Sequence, residues 1–83
     1  MSAVYLVRRG TNPRTGKAMA RFYRMLLAPT LFGECALVRE WGRIGSGGTV
    51  KSEAHPNAGA ALLSLQRIVR EKKQKGYVNN HII

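Results

Sequence analysis

The sequence predicts an α+β fold: a small, mostly antiparallel sheet of four to five strands packed against one α-helix. Three observations predict it. Up to Pro56 the chain is a series of short extended runs separated by clusters of Gly, Pro, Asn and Thr. Beyond Pro56 the apolar spacing changes from two to three and four. The 83 residues are enough for one hydrophobic core and no more, so a single domain over 1–83 is expected.

The elements follow in order. Ala3 to Arg9 is a β-branched and aromatic run that ends in the turn formers Gly10 to Gly16. Ala18 to Ala28 resumes the extended pattern, with Arg21, Tyr23, Met25 and Leu27 on one side and Phe22, Arg24 and Leu26 on the other. Both sides are mixed, so either can be the core side. A turn over Pro29 to Gly33 leads into Glu34 to Ile44, where alternation puts Cys35, Leu37, Arg39, Trp41 and Arg43 on one face. Gly45 to Gly48 forms a tight turn, and Thr49 to Ser52 returns as the second arm of a hairpin.

Ala58, Ala61, Leu62, Leu65, Ile68 and Val69 then recur at helical spacing, opposite Gln66, Arg67, Arg70 and Lys73. Asn57 is the expected N-cap and Gly76 the expected stop, with the cations from Arg70 to Lys75 at the negative end of the helix dipole. The helix is placed at about Asn57 to Lys75, and Tyr77 with Val78 as a final edge strand.

Charge narrows the functional classes. Fourteen Lys and Arg face four acidic residues, a formal net charge of +10. So basic a domain repels its copies, which favours a monomer, and attracts polyanions, of which nucleic acid is the commonest. Cys35 has no partner for a disulfide, and with His55 and His81 it gives no metal-site spacing, so neither a metal nor another cofactor is expected. His55, beside Pro56, reads as a solvent-facing loop residue. No signal peptide or membrane span is legible, and a cytoplasmic or nucleoid location is expected.

Arg39, Trp41 and Arg43 are the sharpest constellation. Alternate positions on one strand project an indole between two guanidinium groups, which can hold phosphate oxygens while the indole packs on a sugar or base. The same spacing equally suits a core tryptophan flanked by two snorkelling arginines. Gly42 lets another backbone or the helix approach the opposite face of the strand. Gly42 to Thr49 nearly matches the phosphate loop of nucleotide hydrolases, but Gly48 stands where its lysine is needed and a strand follows in place of a helix. No nucleophile, base and carboxylate share an arrangement, so no enzyme is expected. Arg67 and Arg70 on the helix, and Lys51 on the hairpin, are secondary phosphate candidates.

The run from Val38 to Gly45, VREWGRIG, resembles the signature of the WGR domain family. ARFYRM at Ala20 to Met25, PTLFGE at Pro29 to Glu34, the GGTVKSE hairpin and KQKGY at Lys73 to Tyr77 resemble, in order and spacing, small bacterial members; the likeness covers about 16–78. It implies an antiparallel sheet on one helix. In the DNA-dependent poly(ADP-ribose) polymerases such domains bind broken DNA, the motif Trp packing on the terminal sugar and the motif Arg on backbone phosphates. Those roles carry over to Trp41 and Arg43 alone. Ala18 stands near the place where polymerase members tend to have a polar residue, and the transferase activity, which lies in other domains, does not carry over.

The expectation is therefore a module that binds nucleic acid, DNA before RNA, through Trp41, Arg43 and Arg39 with help from Lys51, Arg67 and Arg70, without base readout. The rival is a protein interaction module docking an acidic partner.

Overall fold

The computed structural model describes residues 3–80. His81, named above among the soft ligands, lies outside them. Five strands and one helix run in the order β1 (Ala3–Thr11), β2 (Ala18–Pro29), β3 (Cys35–Arg43), β4 (Thr49–His55), α1 (Ala58–Gln74) and β5 (Val78–Asn79). The strands form one sheet in the order β4-β3-β2-β1-β5, and every pairing is antiparallel. The α+β fold is the one the sequence predicts. The final edge strand exists, shifted to Val78–Asn79 and paired with Leu6 and Val7 of β1.

The helix covers one face of the sheet. Ala61, Leu65 and Ile68 of α1 pack on Leu6, Tyr23, Met25, Leu27, Cys35 and Leu37, all buried. The core side of β2 is thus the one bearing Tyr23, Met25 and Leu27. Phe22, on its other side, is buried as well, because the β3–β4 turn folds over it. A Cβ on Gly42 would sit 3.1 Å from Gly48 Cα and 3.6 Å from the Phe22 ring. Gly42 therefore admits a second backbone to that face, as its lack of a side chain implied. Central strand β2 is covered on both faces at this point, which is why its alternation is mixed.

Both helix ends are closed as the sequence signals. Asn57 Oδ1 accepts a hydrogen bond from the Ala60 N–H at 2.8 Å. At the other end Gly76 takes φ +100°, its N–H donates to Lys73 O, and the Tyr77 N–H donates to Lys72 O, a Schellman closure. That closure turns Tyr77 back against the sheet, with its ring edge-on to Tyr23 at 6.4 Å. Asn57→Ala, which leaves the Ala60 donor without its cap, is expected to cost about 1 kcal/mol. For a domain of this size that lowers Tm by roughly 5 °C in a circular-dichroism melt; an unchanged Tm would remove the cap from the list of stabilising contacts.

One reading needs correction. His55 is not a solvent-facing loop residue: β4 runs three residues past Ser52, and His55 ends it opposite Cys35. Its side chain is 20% exposed, with Nε2 3.7 Å from Glu53. The strand extends because β3 offers it a full ladder as far as Cys35.

Candidate nucleic-acid interface

The register of β2 on β3 builds the site. Tyr23 lies opposite Trp41 and Arg21 opposite Arg43, both pairs on the face that carries the helix. Tyr23 and Trp41 stack with centroids 5.7 Å apart and planes 14° from parallel. Trp41 is thereby neither a fully buried core residue nor a fully exposed one. One side of the indole rests on a buried tyrosine next to the core, and the residue keeps partial exposure.

The two flanking arginines separate. Arg39 is drawn inward: its guanidinium pairs with Glu53, Nη1 donates to Tyr23 Oη at 3.3 Å, and its Cζ lies 5.9 Å from the Trp41 ring centroid. Its side chain is only 18% exposed. Arg43, two residues on, is exposed and has no ion-pair partner among the described residues. With Arg21 and Lys17 it lines a cleft of about 310 Å³, together with Ala18 to Ala20 at the start of β2 and Asn12 and Thr15 of the β1–β2 loop. Three cations thus converge on one concave surface. The uncharged polar groups there, Asn12 and Thr15, come from the loop, and Ala18 is part of the lining.

Lys72 completes the aromatic group. Its ammonium lies 4.6 Å from the Tyr23 ring centroid and 5.8 Å from that of Tyr77. Burial against these rings holds its pKa below the ordinary lysine value, and the nearby Lys75 and Arg39 charges add to the lowering against the opposing effect of Glu71. Lys51 is exposed on edge strand β4, opposite Arg39. Arg67 and Arg70 lie across the helix from its buried positions, lining a separate shallow groove with Leu63, and Arg67 is shared with Glu71.

The structure therefore brings together Trp41 and Arg43 from the sequence-predicted set, keeps Lys51 at their margin, turns Arg39 to an internal role and sets Arg67 and Arg70 apart. Sequence reasoning missed Arg21, Lys17, Tyr23 and Lys72. The signal for Arg21 and Tyr23 was present, though none pointed to Lys17: pairing symmetric about Phe32, at the centre of the β2–β3 turn, places Tyr23 against Trp41 and Arg21 against Arg43. Lys72 had no comparable signal. Among the described residues no cluster of His, Cys, Asp or Glu could hold a metal ion, and no helix is long and apolar enough to cross a membrane.

A five-stranded antiparallel sheet with a helix on one face and a basic cleft beside a tyrosine-backed tryptophan defines a small α+β domain with a concentrated cationic surface. The chain belongs to the WGR domain family, whose model matches residues 7–82 and so takes in most of β1. Members of this family typically bind nucleic acid. The chain is similar to the uncharacterized protein y4dW of Sinorhizobium fredii, with 37% identity over 59 residues, 71% of this chain and 29% of that protein. The chain thus spans less than a third of that bacterial relative. No solved structure matches it.

Proposed function

We propose that the chain binds nucleic acid, DNA in the first place, by its sugar-phosphate backbone at the end of the sheet where Trp41 and Arg43 lie, and that it carries no reaction of its own. The observation that supports this most is the convergence of Arg43, Arg21 and Lys17 on one cleft at that end. Guanidinium forks suit phosphate oxygens in pairs, and the partly exposed Trp41 offers a flat surface to a terminal sugar or base. Tyr23, Lys72 and Arg39 act as positioning groups that fix the indole. Lys51 extends the surface along β4, while Arg67 and Arg70 give at most a second, weaker contact.

With the cations of the cleft taken as phosphate contacts, affinity is expected to be independent of sequence and steeply dependent on salt. Three phosphates neutralised imply a slope of about −2.7, and so a loss of roughly forty-fold between 50 and 200 mM salt. The test is a fluorescence-anisotropy titration of labelled intact, nicked and 5′-phosphorylated duplexes, and of a matched RNA, at those two salt concentrations. Wild type is expected to prefer the nicked or phosphorylated ends over closed duplex, and Trp41→Ala with Arg43→Ala to lose that binding. Absence of binding at 50 mM, or equal binding by the double variant, sinks the proposal.

A second reading has one observation in its favour. Leu63 is 69% exposed beside Arg67 and Arg70, a pairing of apolar and basic groups that suits an acidic peptide with an apolar anchor. Partners retained on the protein after nuclease treatment, and lost with Leu63→Ser, would favour it.

A further inference from the structure

The register that joins β1 to β2 carries the basic surface beyond the cleft. Leu6 pairs with Tyr23 and is buried with it under the helix, so Arg8, two residues on, projects from the same face. Arg8 lies opposite Arg21, and Arg21 opposite Arg43. Directly opposed residues of antiparallel strands share a face, so the three arginines stand in one row across β1, β2 and β3. With neighbouring strands about 4.8 Å apart, the row is roughly 10 Å long. All three residues are exposed, and none has an ion-pair partner among the described residues. The row passes the end of α1, where a Cβ on Gly76 would come 3.5 Å from Arg8 Nε. Trp41 is the next residue on this face of β3 before Arg43.

Like charges directly opposite one another destabilise a sheet, and the chain has no carboxylate side chain left to relieve this row. It contains four acidic residues. Glu40 is taken by Arg24, Glu53 by Arg39 and Glu71 by Arg67. Glu34 precedes β3, whose opposite end is Arg43, about 30 Å away along an extended chain. The negative end of the helix dipole favours a cation at Arg8, but it accounts for neither Arg21 nor Arg43 beside it.

We propose that the backbone of one nucleic-acid strand crosses the sheet at right angles to the β-strands, starting at Trp41 and placing its phosphates on Arg43, Arg21 and Arg8 in turn. This rests on the proposed nucleic-acid binding: that reading supplies the ligand, and the row supplies its path and adds Arg8 as a contact. Evenly spaced cations suit a repeating anion, and each guanidinium fork can take phosphate oxygens in pairs. Arg9 marks the limit of the path. It is exposed, lies opposite Ala20 and projects from the other face of the sheet.

Salt-dependent anisotropy titrations of the labelled nicked duplex, with wild type, Arg8→Gln and Arg9→Gln, test the path. Arg8 adds a fourth phosphate contact to the three of the cleft, so the wild-type slope is expected at about −3.6, against about −2.7 for the cleft alone. Arg8→Gln is expected to return the slope to about −2.7 and to weaken binding roughly three- to tenfold at low salt. Arg9→Gln loses the same charge from the other face and is expected to bind within about twofold of wild type. Both variants are expected to melt within a few degrees of wild type, since both positions are exposed. Arg8→Gln that binds as wild type does, or Arg9→Gln that loses as much as Arg8→Gln, would overturn the path. Arg43→Ala, titrated beside them, tells the two readings apart. If it loses binding while Arg8→Gln does not, the interface stands and the path alone fails; if wild type does not bind, both fail.

Discussion

Gly48→Val is expected to destabilise the domain by about 3 kcal/mol, the upper end of the usual cost of overpacking, and to lower Tm by roughly 15 °C. A Cβ at Gly48 meets the Trp41 carbonyl oxygen at 2.8 Å, the Phe22 ring at 2.9 Å and Glu40 Cγ at 3.0 Å. The first is strand backbone paired with both β2 and β4 and the second a buried ring, so neither can step aside cheaply. Valine adds two methyl groups to that clash. Gly47→Val is the control, because a Cβ there meets nothing within 4 Å. Thermal melts of the two variants decide the matter: equal Tm values would mean that the β3–β4 turn does not pack on Phe22 as described. Because the clash falls on the backbone of Trp41, a partly folded Gly48→Val should also bind nucleic acid more weakly at temperatures well below its Tm.

The second large effect is a division of labour between two arginines that the sequence presents as equivalent. Arg39→Ala is expected to cost about 2 kcal/mol of stability. It removes the partner of Glu53, the donor to Tyr23 Oη and the cation beside the Trp41 ring, and stranding one member of a partly buried pair is costly. Arg43→Ala, at an exposed position without an ion-pair partner among the described residues, should change stability by less than about 0.5 kcal/mol. It should instead weaken duplex binding roughly tenfold at low salt and reduce the salt slope by about one. Parallel melts and titrations at two salt concentrations measure both effects. If Arg39→Ala kept wild-type stability while Arg43→Ala kept wild-type affinity, the assignment of an inner and an outer arginine would be wrong.

Most of the fold was legible because its signals are local. The period of two in β3, the turn glycines, the Asn57 cap and the Gly76 stop each act within a few residues, and all appear where the sequence puts them. β2 was ambiguous for a specific reason: Tyr23 lies under the helix and Phe22 under a turn some twenty-five residues later in the chain, so both of its faces contain buried aromatics. His55 was misread because the length of β4 depends on its partner β3 and not on its own short run.

The site divides in the same way. The WGR family, the helix-backed antiparallel sheet, the strong positive charge and the placing of Arg39, Trp41 and Arg43 on one strand face are all legible in the chain before it folds. Each of these depends on composition, on spacing within one element or on the order of short motifs along the chain. Folding in three dimensions is what turns Arg39 in to Glu53, joins Arg43 to Arg21 and Lys17 around one cleft, seats Lys72 over Tyr23 and lays the β3–β4 turn over Phe22. These are contacts between elements, fixed by strand register and by the seating of the helix, and a guanidinium on a strand carries no local mark of whether its partner will be a carboxylate on the neighbouring strand or a phosphate in solution.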